Sequence, residues 1–237
     1  MRHIYLSLVA GIALLSLNSC EKVVGDGPVQ TETRTVASFN EIEFEVPGDL
    51  VFIEDDEREV IIEAQRNIID VIQTYVSGSE LRVKVKENTN IRSSKPIHIT
   101  VKGPGVRSLK LSGSGNLTVP GTLAAADAKL RISGSGKMMV TKVEADHLEA
   151  SISGSGDIDV IEGTVNSQDL NISGSGNLDL VEVLSKTTIT QTSGSGTMKV
   201  NVSETLDTRI SGSGDVYYKG SPAVTVSISG SGRIIKL

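Results

Sequence analysis

Aromatic side chains are nearly missing from this 237-residue sequence, which has no tryptophan and only 3% phenylalanine plus tyrosine. Any core must therefore be built from isoleucine, leucine and valine. Glycan platforms that rely on exposed rings have only Tyr217 and Tyr218 to draw on, and the local alternation turns Tyr218 inward. Histidine is scarce too. Of the three, His3 sits in the amino-terminal leader, while His98 and His147 lie in different parts of the chain. His98, between Ile97 and Ile99, reads as an outward strand residue. No HExxH, GxSxG or phosphate-loop motif occurs. The formal charge is -6 and no basic run exists, which argues against nucleic acid as a partner. No cofactor is expected.

Cysteine is almost absent as well, and its one position is informative. Residues 1–20 read MRHIYLSLVAGIALLSLNSC: Arg2 and His3, an apolar stretch from Ile4 to Leu17, then Asn18 and Ser19 before Cys20. That order is a secretory signal, and the apolar stretch is short for a membrane span. Leu17-Asn18-Ser19-Cys20 resembles a bacterial lipobox, which makes residues 1–19 a removable signal and Cys20 an acylated anchor. A lone thiol in an oxidising compartment would otherwise be a liability. Loss of residues 1–19 removes one arginine and no acid, so the mature charge is 22 − 29 = -7. Residues 20–30 then read as the lipidated cysteine and a tether without periodicity. The expected location is the cell envelope, as an outer-membrane lipoprotein held to the membrane through Cys20.

Glycine is abundant, with 24 against six prolines. Much of it falls in one tetrapeptide, Ser-Gly-Ser-Gly, which occurs seven times without substitution. Its glycines are Gly113 and Gly115, Gly134 and Gly136, Gly154 and Gly156, Gly174 and Gly176, Gly194 and Gly196, Gly212 and Gly214, and Gly230 and Gly232. Start to start, the spacings are 21, 20, 20, 20, 18 and 18 residues. A fixed period of this size marks a solenoid. Flexible Gly/Ser linkers are not interrupted by phased apolar blocks, and a phosphate cradle needs a following helix and a lysine. The tetrapeptide is therefore a structural corner.

The flanking residues are in phase with it. One residue before each corner stand Leu111, Ile132, Ile152, Ile172, Thr192, Ile210 and Ile228. Two before that come Leu109, Leu130, Ala150, Leu170, Thr190, Thr208 and Val226. Two apolar columns follow the corner, the first being Leu117, Met138, Ile158, Leu178, Met198, Val216 and Ile234. The unit is strand, corner, strand, closed by a looser third segment. Leucine-rich repeats and propeller blades do not fit the signature or the period. The pattern predicts an all-β, single-stranded parallel β-helix with about 20-residue coils, seven of them regular over residues 104–237. Right-handed winding is favoured, because left-handed hexapeptide patterning is missing.

Residues 31–103 are less regular and read as irregular amino-terminal coils. Ile42, Phe44 and Val46 alternate with three glutamates, and Pro47-Gly48-Asp49 turns the chain into Leu50–Ile53. Phe44 and Leu50 are spaced as Leu111 and Leu117 are, so this block is a worn repeat whose corner kept only its second glycine, Gly48. Further strands are expected at Val60–Ala64, Leu81–Lys86 and Ile97–Lys102, with Ser77-Gly78-Ser79 and Lys102-Gly103-Pro104-Gly105 as fainter corners. Ile68–Tyr75 is ambiguous between strand and helical turn.

The best candidate for chemistry is acidic. Asp157 and Asp159 leave one corner, and Asn177 and Asp179 occupy matching positions one coil later, about 5 Å away if stacked. The bland reading is a solvated acidic face. The sharper alternatives are a hard cation such as Ca²⁺ on Asp157, Asp159 and Asp179, or a carboxylate pair for glycoside cleavage.

The repeated Ser-Gly-Ser-Gly-x-Leu-x-Val, preceded by Phe39-Asn40-Glu41-Ile42 and Pro47-Gly48-Asp49-Leu50, resembles the bacterial family called "putative auto-transporter adhesin, head GIN domain". The resemblance covers about residues 31–237 and implies a secreted or surface β-helical domain without catalytic residues. The expected protein is a lipid-anchored envelope protein carrying a rigid structural or interaction module, for adhesion, and is not an enzyme. Its alternative is a glycan binder, or a polysaccharide lyase or hydrolase working on a side face. Expected partners are the membrane, an extracellular protein or glycan, and a second copy met through exposed β-helix ends.

Overall fold

The structure, a computed structural model, describes residues 21–237. The signal segment 1–19 and Cys20 lie outside the described residues. The described residues are 76% strand with almost no helix. In order, the elements are β1 (Glu21–Val24), β2 (Val29–Thr35), β3 (Glu41–Glu45), β4 (Asp49–Glu54), β5 (Glu59–Gln65), α1 (Arg66–Ile69), β6 (Ile72–Ser77), β7 (Glu80–Val85), β8 (Thr89–Arg92) and β9 (His98–Gly103). There follow β10 (Ser108–Gly113), β11 (Asn116–Gly134), β12 (Lys137–Gly154), β13 (Asp157–Gly174), β14 (Asn177–Gly194), β15 (Thr197–Gly212), β16 (Asp215–Gly220), β17 (Ala223–Gly230) and β18 (Arg233–Lys236).

From β10 onward the architecture is a parallel β-solenoid of about 6 turns. Each corner stacks on the last in strict register, Gly113 on Gly134, Gly154, Gly174, Gly194, Gly212 and finally Gly230. The segment expected to be loose is paired strand as well: β11 to β15 each run 16 to 19 residues round the coil. Pairing slips locally between Val119 and Thr122 and between Leu180 and Leu184, where the coils differ in how they turn.

Both glycines of a corner stack closely on the coil before, Gly113 excepted, but only the first is also required by its backbone conformation. The first takes a positive φ, +102° at Gly113 and +133° at Gly174, a region that disfavours residues with a Cβ. The second does not. A Cβ on Gly156 would lie 2.5 Å from the carbonyl oxygen of Gly136 and 2.7 Å from Cγ2 of Ile132, so its glycine is required by close stacking. The corner is laddered by backbone, as in Ser155 N–H donating to the Gly134 carbonyl at 2.9 Å. Among the described residues no corner serine hydroxyl bonds a protein partner.

The columns point inward and fuse into one core, with Leu111, Ile132, Ile152 and Ile172 all buried. The core turns polar over β13 to β15. There Ser185 and Thr188 share a hydrogen bond of 2.7 Å, Thr188 donates to Gln168 Oε1 at 3.2 Å, and Thr190 donates to Thr208 at 3.0 Å. Satisfied in pairs, such hydroxyls can replace aliphatic groups in a ladder at modest cost.

The amino-terminal portion departs from simple stacking. The worn repeat is real in space: Phe44 pairs with Leu111 and Leu50 with Leu117. Yet its sequence successors do not lie between the two. β7 and β9 flank β3 and β4 on the far side, so the chain runs out to an end layer and then crosses back to begin β10. Ser77-Gly78-Ser79 is not a solenoid corner. It is the turn of the antiparallel β6–β7 hairpin, with Gly78 at φ +64°. Lys102-Gly103 belongs to β9, itself antiparallel to β5. The ambiguous stretch resolves into both alternatives, the short helix α1 and then β6. The expected tether also needs correcting, since β1 pairs with β8 and β2 starts at Val29. Of its apolar residues only Val23 packs against the core. Ile68 and Ile69 of α1 are fully buried, so this end of the core is closed.

Candidate functional site

Because side chains alternate along each strand, every outward position of the solenoid forms a column along the rod. Three surfaces result. The first follows the corners and carries the acidic candidates. Asn177 Nδ2 donates to Asp157 at 2.7 Å, while Lys137 and Lys199 pair with Asp159 and Asp179, each at 2.7 Å. The structure thus brings Asp157, Asp159 and Asp179 to one shallow cavity of about 300 Å³, but in company with two lysines. Among the described residues no group of three or more His, Cys, Asp or Glu is placed to hold a metal ion. A cation here would have to displace both ammonium groups, and the carboxylates as they stand form a charge ladder.

That ladder has a pH signature. Hydrogen bonds to Asp159 and Asp179 hold Lys137 and Lys199 above the ordinary lysine value of 10.5. A raised folded value means their contribution is complete below the unfolded value and lost as pH rises through the folded one. On the acid side, the Arg131 hydrogen bond holds Glu149 below 4.5 and the Arg233 hydrogen bond holds Asp215 below 3.8. Their contribution is present above those values and lost as pH falls. The thermal midpoint is therefore expected to be flat from about pH 5 to 10 and to decline beyond both limits. Exchanging Lys137 and Lys199 for methionine should reduce the alkaline decline in a melting series, to which Lys84, Lys102 and Lys142 also contribute, and an unchanged decline would contradict the ladder. The pairs are exposed, so the slopes are shallow.

The second surface precedes the corners. Here Lys110, Arg131, Ser151, Asn171, Gln191 and Arg209 stand between the two inward columns, and the corner serines run alongside. Two cavities of about 220 and 270 Å³ share Asn171 and make one groove along the rod. The alternation exposed these residues in the sequence, but their value lies in being adjacent across coils. At the head of this column Glu43 is buried between Arg82, at 3.4 Å, and Lys110. The third surface is a cleft of about 480 Å³ where Pro96 interrupts the corner column, lined by Asp49, Arg92, Lys95, Ser114 and Asn116. The sequence signal for it was only a proline next to Lys95, with Arg92 four residues before it.

The remaining candidates lie apart. His98 is exposed, 3.5 Å from Asp49 in the end layers, whereas His147 Nδ1 sits 2.9 Å from Ser167 Oγ in the mid-rod. Tyr218 packs against the core edge and Tyr217 is half-buried, so no aromatic platform forms from the pair.

Stacked coils, glycine corners and outward polar columns define a parallel β-solenoid. No helix among the described residues is long and apolar enough to cross a membrane. The chain belongs to the family described as "putative auto-transporter adhesin, head GIN domain", whose model matches residues 38–222. A "putative adhesin" from Bacteroides fragilis has the same fold, with a TM-score of 0.84 at 23% identity, covering 91% of this chain and 100% of its own. A second, from Parabacteroides distasonis, gives 0.74 at 23% identity, covering 92% and 100%. A "putative lipid binding protein" from the same organism gives 0.75 at 24% identity, again over 92% and 100%. Comparison with curated proteins gives no match.

Proposed function

We propose that the protein is a lipid-anchored module of the cell envelope that presents a rigid, repetitive polar face for adhesion and performs no catalysis. The observation that carries this reading is the groove of Lys110, Arg131, Ser151, Asn171, Gln191 and Arg209, in which the equivalent position of successive coils carries a polar side chain. A repeating surface of hydroxyl, amide and guanidinium groups suits a repeating or extended partner better than one small molecule. The envelope placement draws on the family and on Leu17-Asn18-Ser19-Cys20, with the acylated Cys20 as anchor and the outer membrane as destination.

Cells producing the chain are expected to bind immobilised polysaccharide or protein surfaces, and Asn171→Ala with Gln191→Ala and Arg209→Ala should remove most of that binding. Cys20→Ser should move the protein out of the detergent phase. Unchanged binding or unchanged partition would overturn the corresponding half of the proposal. A second reading, glycan recognition with cleavage at the carboxylates, is favoured by Asp157 and Asp159 sharing a cavity with Asp179. Release of reducing ends from polyuronides, abolished by Asp157→Asn with Asp159→Asn, would establish it over the first.

A further inference from the structure

The corner column is interrupted at one layer. Glu45 and Asp49 flank the worn corner four positions apart, whereas their register partners Lys84 and His98 stand fourteen apart. The extra residues leave the solenoid as a detour carrying β8 and Pro96, and they wall the 480 Å³ cleft above Gly48 and Ser114. The detour is fixed from behind. Ser93 Oγ lies 3.0 Å from Oε1 of the buried Gln65 and accepts the Lys95 N–H at 3.2 Å, while Gln65 Nε2 donates to the Gly27 carbonyl at 3.1 Å. The charges lining the cleft are left over from the rest of the surface. Among the described residues every arginine except Arg58 and Arg92 is paired with a carboxylate, and residues 1–20 contain no acid. Lys95 Nζ donates to a neutral group, the Gly27 carbonyl at 3.0 Å. The acid of the cleft, Asp49, accepts from Asn116 Nδ2 at 2.7 Å and lies 3.5 Å from His98 Nδ1.

We propose that this cleft binds an anionic sugar, a hydroxylated ring bearing a carboxylate or phosphate group. The anionic group sits on Arg92 and Lys95, and ring hydroxyls meet Asp49, Ser114 and Asn116. A guanidinium presents its donors as a fork that matches the oxygens of either anion, and the ammonium adds a point charge. A bare anion would face the Asp49 carboxylate with no hydrogen to give it. A sugar hydroxyl donates to that carboxylate and can accept from an amide such as Asn116. The volume falls within the roughly 300–1,000 Å³ of small-molecule pockets, more than an inorganic anion fills. Because the detour is already pinned through Ser93 and Gln65, binding has little backbone ordering to offset. The site is separate from the groove before the corners, with which it shares no residue.

Ligand-observed NMR titration of the full chain carrying Cys20→Ser, so that acylation does not intervene, tests this with glucuronic acid, glucose 6-phosphate, glucose and inorganic phosphate. Saturable binding of glucuronic acid, of glucose 6-phosphate or of both is expected, and the pattern tells carboxylate from phosphate as the preferred group. Glucose and inorganic phosphate should each bind about tenfold more weakly or not at all. Arg92→Gln, which removes no contact of the fold, should weaken binding of the anionic sugar by about tenfold, the loss of one charge-assisted hydrogen bond. Adding Lys95→Gln should weaken it further with the circular dichroism spectrum retained, and raised salt should act in the same direction. The groove variant Asn171→Ala with Gln191→Ala and Arg209→Ala should leave this binding unchanged, so failure here and failure of the adhesion face are told apart. Absence of saturable binding by both anionic sugars would overturn the proposal. So would binding indifferent to Arg92→Gln, or inorganic phosphate binding as tightly as glucose 6-phosphate.

Discussion

Gly174→Ala is expected to destabilise the protein by about 2–6 kcal/mol, combining 1–3 for an L-residue in a Gly-type conformation with a similar amount for overpacking. Gly174 has φ +133°, and a Cβ built on it falls 2.2 Å from the Gly154 carbonyl oxygen. That oxygen is backbone and accepts the Ser175 N–H at 2.9 Å, so it cannot move aside without opening the ladder. Gly113→Ala is the internal control. Its φ is +102°, but nothing lies within 4 Å of the added carbon. It should therefore show the conformational part alone, about 1–3 kcal/mol. Chemical denaturation of the two variants separates steric from conformational cost, and equal losses would refute the stacking explanation of the corner.

Ile172→Ala should cost about 2–5 kcal/mol, the range for a large-to-small change at a fully buried site. Ile172 is 0% exposed in the middle of the rod. Its side chain also fills the space under the next corner, where a Cβ on Gly196 would meet Ile172 Cγ2 at 2.6 Å. The loss therefore removes support from the following coil as well as apolar area. In a quasi-one-dimensional protein a weak mid-rod contact also uncouples the repeats on either side, which broadens the transition. Ile228→Ala occupies the same column in β17, where the residue is 41% exposed, and should cost well under half as much. A mid-rod change within about 0.5 kcal/mol of neutral, a range typical of surface sites, would mean that the column does not carry the core.

The solenoid was legible because each coil repeats one local rule, visible in the spacing of Ile132, Ile152 and Ile172 around the tetrapeptides. Even the worn copy could be aligned, since Phe44 and Leu50 keep the spacing of Leu111 and Leu117. The amino-terminal cap was not legible. Its strands satisfy the same period of two whether they pair in parallel or antiparallel, and Ser77-Gly78-Ser79 serves a hairpin as readily as a corner. Pairing partners there are fixed by tertiary packing of Ile68, Ile69 and Phe39, which periodicity does not encode. For the site, alternation identified which residues face outward. It could not show that Lys137 and Lys199 reach across to Asp159 and Asp179, because that depends on side-chain reach between coils. The groove was similarly hidden, being a property of adjacent coils that no single repeat displays.

The excursion of the chain to the end layer and back has a cost in chain entropy that can be stated. Most coil-to-coil pairings join residues about 20 positions apart, as Gly154 to Gly174 does. Pairing Glu41 with Ser108 closes a loop of 67 residues. Closure cost grows only as the logarithm of loop length, so this join is dearer than an ordinary rung by about 1 kcal/mol. A single buried methylene in the Phe44–Leu111 contact nearly offsets it. The greater consequence is temporal. From β11 onward each rung can form beside its predecessor, whereas this one, like the neighbouring Leu50–Leu117 rung, waits for a distant segment to return, and non-local closures of that kind set the pace of folding.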